Sequence, residues 1–200
     1  MLFGRLRDCY TLYPESGFSQ LFSVESAKRN PHTTNMAEEH IRPLQCVQEV
    51  QQAFRLDLAS FPHADDEDLP IETWMTVYNE ERSLLLGYFK SEELLGLIGA
   101  SMSDADHYTK EALRTHVSHG ETICINSLCV DQNVQRQGIA TRLLHKFVLN
   151  VKGSFPKAKR ICLICPEYLI PFYTKAGFVL VGLSEVVIGK QPVFECTMEL

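Results

Sequence analysis

Apolar and polar positions along the chain change period several times, and each change marks an element. The most informative change lies between Thr122 and Val151. Ile123, Ile125, Leu128 and Val130 form an apolar, β-rich run suited to a strand buried in a sheet, and the run ends at polar Asp131, Gln132 and Asn133. Leu143, Leu144, Phe147, Val148 and Val151 then recur at spacings of three and four. That spacing predicts a helix with these residues on one face and Arg142, His145, Lys146 and Asn150 on the other. Between strand and helix lies Gln135-Arg136-Gln137-Gly138-Ile139-Ala140.

The rest of the chain reads in the same way. His40 to Leu44 suits a short first strand. Val47, Val50, Phe54, Leu58 and Phe61 step at helical spacing, and the prolines at 62 and 70 bound a loop holding Asp65, Asp66, Glu67 and Asp68. A second short helix starts at Asp68 or Pro70 and runs through Trp74 and Val77. Leu84 to Phe89 and Leu94 to Met102 are apolar runs separated by Lys90-Ser91-Glu92-Glu93, which predicts a hairpin. Asp104 to Gly120 is polar, with a short helix near Thr109 to Thr115, and its three histidines read as surface residues. Arg160 to Cys165 is another buried strand, broken by Pro166. Leu169 to Lys175 forms a short helix that stops at Gly177, and Val179 to Val181 pairs with Val193 to Met198 through Gly189-Lys190. This order predicts a mixed α/β domain over residues 39–200, with no internal repeat.

Composition narrows the function classes. In a chain of 200 residues, 45% hydrophobic, no apolar run reaches the roughly 18 residues of a membrane-spanning helix, so a soluble protein is expected. A net charge of −6 argues against nucleic acid as the main partner and leaves cationic small molecules open. The four-acid run at 65–68 is a solvated face or an attractor for such a cation. Seven cysteines, odd in number and mostly inside apolar runs, read as reduced thiols in a cytoplasmic protein. Cys162 and Cys165 form a C-x-x-C, but residues three apart on a strand point to opposite faces, and no second pair has zinc spacing, so no metal is expected. Residues 1–38 are poorly periodic. Arg5 and Arg7 suggest a targeting segment, Asp8, Glu15 and Glu25 contradict its acid-poor composition, and a flexible extension is the expectation, with Met36 as a further possible start.

The turn at 135–140 carries the chemistry. Gly138 and Ala140 allow close approach of a ligand, and a helix N-terminus presents unpaired N–H groups and a positive dipole end to an anion. The turn lacks the Gly-Lys-Ser/Thr and Gly-x-Gly-x-x-Gly patterns of common nucleotide loops. Gln135, Gly138 and Ala140 instead resemble the acetyl-CoA-binding segment of the GNAT superfamily of N-acetyltransferases, Gln/Arg-x-x-Gly-x-Gly/Ala after a strand. Tyr168 to Phe178 also resembles the second half of such a domain. Thr109-x-Glu111-x-Leu113-x-x-His116, Pro-Phe-Tyr at 171–173 and the loop through Phe61 and Leu69-Pro70 are similar to the arylalkylamine (serotonin) N-acetyltransferase group.

The resemblance implies a mostly antiparallel sheet of six to seven strands flanked by helices, with acetyl-CoA held between the central strand and the strand at 160–165. It implies that main-chain groups of Gln135, Arg136, Gln137, Gly138, Ile139, Ala140 and Thr141 bind the pyrophosphate, and that Leu128, Cys129 and Val130 pair with pantetheine. The Leu128 N–H would face the thioester oxygen, and Tyr173 would lie beside the sulfur and donate a proton to it, its ionisation setting a basic limb of the pH profile. Phe61, Pro70, Val193 and Phe194 would wall the acceptor. Cys124 and Asn126 stand where the vertebrate enzymes carry two histidines that help remove the amine proton, and neither is an obvious base. The expected reaction is direct acetyl transfer, by a monomer, to a small arylalkylamine or polyamine. The alternatives are a protein or peptide N-acetyltransferase and a non-catalytic acyl-CoA-binding domain.

Overall fold

The computed structural model describes residues 38–61, 70–188 and 192–200. The expected N-terminal extension up to residue 37, the start at Met36, the acidic run at 65–68 and the connection through Gly189-Lys190 lie outside the described residues.

One seven-stranded sheet organises the domain, in the order β1-β2-β3-β4-β5-β7-β6. Its strands are β1 (Glu39–Pro43), β2 (Leu85–Lys90), β3 (Glu93–Ser103), β4 (Thr122–Val130), β5 (Arg160–Cys165), β6 (Val179–Leu183) and β7 (Phe194–Glu199). Every neighbouring pair is antiparallel except β4 and β5. The parallel pair needs a crossover, and α4 (Ile139–Ser154) supplies it. The remaining helices are α1 (Val47–Ser60), α2 (Ile71–Glu80), α3 (Glu111–Arg114) and α5 (Ile170–Lys175).

The β2–β3 hairpin closes through Ser91 and Glu92, both with left-handed backbone at φ 48° and 67°, between the paired Lys90 and Glu93. A two-residue turn of this hand matches the twist of the strands but disfavours residues with a Cβ. Glu92→Gly is therefore expected to raise stability by about 0.5–1 kcal/mol, read as a higher urea midpoint at unchanged slope. α4 lies against β2, β3 and β4 because Leu143, Leu144, Phe147 and Val151 form its buried stripe. Gly96 of β3 permits the close approach: a Cβ there would lie 3.2 Å from Ile139 Cγ2, Leu143 Cδ1 and the Cys129 carbonyl oxygen.

Two features of β4 shape the centre of the sheet. Its pairing with β3 runs Gly99 to Ser127 and then Ala100 to Ile125, so Asn126 is an extra, bulged residue. Its pairing with β5 runs from Thr122 with Arg160 to Ile125 with Leu163 and stops there. Beyond the bulge the two central strands separate.

Two sequence expectations need correction. The inward face of α1 is Val50, Ala53 and Asp57, whereas Val47, Leu58 and Phe61, expected on that face with Val50 and Phe54, are exposed. The helix is rotated so that a carboxylate goes inside. His116 is likewise not a surface side chain. Its ring is buried, Nδ1 accepts the Met102 N–H at 3.1 Å, Nε2 has no hydrogen-bond partner, and burial lowers its pKa against the opposing pull of Glu80 and Glu81. His107 and His119 do sit at the surface. Cys162 and Cys165 point to opposite faces as the alternation required, Cys162 packing with Cys124 and Cys165 in the main core.

Candidate active site

The turn after β4 is fixed by two side chains. Asp131 accepts the Asn133 N–H at 2.9 Å, and Gln135 Nε2 donates to the Val130 carbonyl at 3.0 Å, which ties the turn to the strand end. Arg136 (φ 63°) and Gly138 (φ 77°) then adopt left-handed backbone on either side of Gln137, and α4 begins. A Cβ on Gly138 would meet no atom within 4 Å. The dihedral, not packing, calls for glycine, and the space above the helix end is open. Arg136, Gln137, Gly138 and Thr141 are exposed, Ala140 is half-buried, and Ile139 anchors the turn in the core. By helix geometry the first-turn N–H groups lack intrahelical acceptors, so the turn is an open cradle of donors at a positive dipole end.

Leu128, Cys129 and Val130 occupy the part of β4 that has left β5, so this stretch faces the gap between the separated strands. Neither Cys124 nor Asn126 is placed to act as a base. Cys124 is fully buried, its Sγ 3.4 Å from Cys162 Sγ, and the contact together with burial drives the Cys162 thiol far above its ordinary pKa. Asn126 spends its amide on structure: Nδ2 donates to Ser101 Oγ at 3.1 Å and to the Ala112 carbonyl at 3.0 Å, and Oδ1 accepts from the buried Tyr108 hydroxyl at 2.9 Å. These bonds hold the bulge open.

Tyr173 of α5 is buried at the far end of β5. Its ring meets Phe172 and Phe178 edge-on, with centroids at 5.0 and 5.9 Å. Burial, reinforced by the nearby Cys165 and Cys196 thiols, raises its phenol well above the ordinary range, so it remains a protonated donor. Cys165, the last residue of β5, pairs with Phe194, which brings Tyr173 and Phe194 to the same end of the sheet, next to buried Val193. Phe61 and Pro70 close α1 and open α2. They bracket a segment outside the described residues. Thr73, Trp74, Val77, Leu85, Gly99, Ala100 and Asn126 line a small recess at the bulge. Among the described residues no three His, Cys, Asp or Glu side chains converge as a metal site, and no helix is long and apolar enough to cross a membrane.

Asp57 is the residue that sequence reasoning missed. It is 4% exposed, and its Oδ1 accepts the Ser127 hydroxyl hydrogen. Burial pushes its carboxyl up to about 6, against the lowering effect of that hydrogen bond. The sequence signal was available: Val50, Ala53 and Asp57 share one helical stripe. Because the folded pKa exceeds the ordinary value of 3.8, the folded state holds its proton more tightly than the unfolded chain, and stability falls as pH rises from about 4 to about 6. Asp57→Asn should therefore stabilise the protein at pH 7 by on the order of 3 kcal/mol and change little below pH 4, as denaturant titrations at the two pH values would show.

A mixed sheet split beside a central bulge, with a glycine turn and helix end at the mouth of the split, defines the GNAT fold class. The family model described as an acetyltransferase (GNAT) domain matches residues 56–189, more than half of the chain, and the chain belongs to that family. Serotonin N-acetyltransferase of Mesocricetus auratus is 33% identical over 117 residues, covering 58% of this chain and 56% of the relative. The Homo sapiens protein of the same name is 31% identical over 106 residues, covering 53% and 51%. The chain thus spans about half the length of the curated relatives it matches. Among solved structures, the loading GNATL domain of CurA from Lyngbya majuscula aligns with TM-score 0.65 at 10% identity, covering 81% of this chain and 98% of that one. Arabidopsis thaliana NAA60 in complex with a bisubstrate analogue aligns with TM-score 0.59 at 18% identity, covering 81% and 98%. At those identities the likeness is one of fold.

Proposed function

We propose that this chain transfers an acetyl group from acetyl-CoA to the primary amine of a small arylalkylamine or polyamine. The observation that carries the reading is the coincidence of three features: the β4 bulge, the end of β4–β5 pairing, and the open cradle over Gly138. The amine class is supported by the likeness to serotonin N-acetyltransferases.

The residues present fit the donor. Main-chain N–H groups from Gln135 to Thr141 hold its pyrophosphate, since a helix end with open space above a glycine suits an anion. Leu128, Cys129 and Val130, free of β5, offer main-chain groups to the amide arm as a neighbouring strand would. Acetyl-CoA supplies an activated acyl carbon. The Leu128 N–H polarises the acyl oxygen, and loss of one such donor typically costs about 10²–10³ in rate. Tyr173, kept protonated by its burial, delivers a proton to the departing sulfur. Phe61, Pro70, Val193 and Phe194 supply apolar walls for the acceptor. A covalent route through Cys124 is disfavoured, because its sulfur is fully buried against Cys162. The same reading has the protein act as a cytoplasmic monomer. In keeping with a reducing compartment, the six cysteines among the described residues are free thiols.

Free thiol release from acetyl-CoA tests the proposal, with tryptamine, phenylethylamine, spermidine and a histone-tail peptide as acceptors. Turnover with the small amines and little with the peptide is expected. Preference for the peptide would favour a peptide N-acetyltransferase, a reading that fits the peptide-directed complexes among the structural neighbours. CoA binding with no thiol release from any acceptor would favour a binding domain.

A further inference from the structure

We propose that Asp57, acting through the Ser127 hydroxyl, is the group that takes the proton from the acceptor's ammonium before attack. The inference rests on the acetyl-transfer reading. A primary amine reaches the site protonated at neutral pH, and its nitrogen has no free electron pair until a base removes that proton. Cys124 is sealed against Cys162, and the Asn126 amide is saturated by Ser101, Ala112 and Tyr108. The two sheet positions at which the resemblance puts histidines therefore supply no base.

Two carboxylates are buried among the described residues, Asp57 and Glu195. Glu195 lies on β7, and its Oε1 accepts the Tyr108 main-chain N–H at 3.0 Å. Asp57 lies on α1 and holds Ser127, the residue that comes after the bulge and precedes Leu128. It thus sits one residue from the N–H assigned to the acyl oxygen. The Ser127 hydroxyl is buried, donates to Asp57 and lies 4.0 Å from Cys129 Sγ; a hydroxyl has two lone pairs, so with its hydrogen on Asp57 it can still accept from an incoming N–H and pass a proton inward. The other titratable groups facing Asp57 are Cys129 of β4, its thiol pushed to about 12, and Tyr108, its phenol far above the ordinary range. Both stay neutral between pH 5 and 9 on the order of their shifts. A charge change near pH 6 then belongs to Asp57, which is a base above that value and a spent acid below it.

The proton count closes. The ammonium loses one proton to Asp57 through Ser127, and the electron pair stays on nitrogen. That pair forms the C–N bond while the C–S pair departs on sulfur. The Tyr173 O–H proton goes to sulfur, the second N–H proton restores Tyr173, and Asp57 returns its proton to water.

The test uses the full chain as wild type and as Asp57→Asn, Asp57→Glu and Ser127→Ala. Each is measured for thiol release from pH 5 to 9 with tryptamine and with 2,2,2-trifluoroethylamine, which is already unprotonated at neutral pH. Acetyl-CoA binding is followed by calorimetry. Asp57→Asn should lower kcat/KM for tryptamine about 10²-fold, abolish the acid limb near pH 6 and leave acetyl-CoA affinity unchanged. Its defect with trifluoroethylamine should shrink to less than about 10-fold, because no proton has to be removed first. Asp57→Glu should recover part of the rate, and Ser127→Ala should share the amine-dependent pattern. Equal losses with both amines, or an unchanged acid limb, would overturn the inference and make Asp57 a packing residue. Wild-type turnover matched by Asp57→Asn would overturn it while leaving the acetyl-transfer reading intact. Absence of wild-type thiol release from every amine would overturn both.

Discussion

Gly138→Asp should bring CoA affinity below detection in a chain that remains folded. The fold survives because the new Cβ meets no atom within 4 Å, so no packing is disturbed. Left-handed backbone with a side chain costs about 1–2 kcal/mol, and aspartate at a helix N-cap returns part of that. The ligand loses on two counts. A side chain enters the volume over the α4 N-terminus, and a negative charge replaces an attractive dipole end with repulsion of several kcal/mol at contact distance. Gly138→Ala separates the two effects, since it keeps the crowding and strain without the charge, and roughly a tenfold loss is expected for it. Calorimetry with CoA beside a thermal melt decides the matter. Near-native affinity in a folded Gly138→Asp chain would remove the cradle from the site.

Tyr173→Phe should lower turnover by about 10²–10³ while acetyl-CoA affinity barely changes. Phenylalanine keeps the edge-on contacts with Phe172 and Phe178, so the variant subtracts the hydroxyl and little else. Burial also revises the expected pH behaviour. An ordinary phenol near pH 10 would impose a basic limb, but this one is raised well above that by desolvation and the neighbouring Cys165 and Cys196 thiols. The ratio of wild-type to variant rate should therefore stay constant through pH 10. A ratio that collapses toward one in the alkaline range would mean that the phenol ionises freely, and full turnover in the variant would take Tyr173 out of the mechanism.

Periodicity carried the elements of the domain well. The hairpin around Ser91-Glu92, the buried strand at 122–130 and the α4 stripe were legible because each repeats one apolar spacing over several turns or residues. The glycine turn was legible because φ > 0 and an open helix end select residue types locally. What escaped was set by tertiary contact. Asp57 shares a helical stripe with Val50 and Ala53, but a carboxylate there reads as solvent-facing until its packing against Ser127 is seen, and His116, in a polar stretch, is revealed as buried only by its contact with Met102. The positions of Cys124 and Asn126 were legible, whereas their fates were not. Whether an amide is saturated depends on Tyr108, Ser101 and Ala112, which lie 14 to 25 residues away along the chain.

The short ladder between β4 and β5 has a mechanical consequence. Because pairing is confined to Thr122–Ile125 against Arg160–Leu163, the sheet is two leaves, β1 to β4 and β5 with β7 and β6, joined along one short seam. A ligand that hydrogen-bonds to both leaves beyond the seam acts as a staple. The Leu128 and Val130 amides, which point away from β3, should then exchange with deuterium far more slowly with CoA than without it, while those of Ser127 and Cys129, already in the β3–β4 ladder, and of residues 122–125 change little. Donor binding would thus turn two hinged leaves into one stiff sheet.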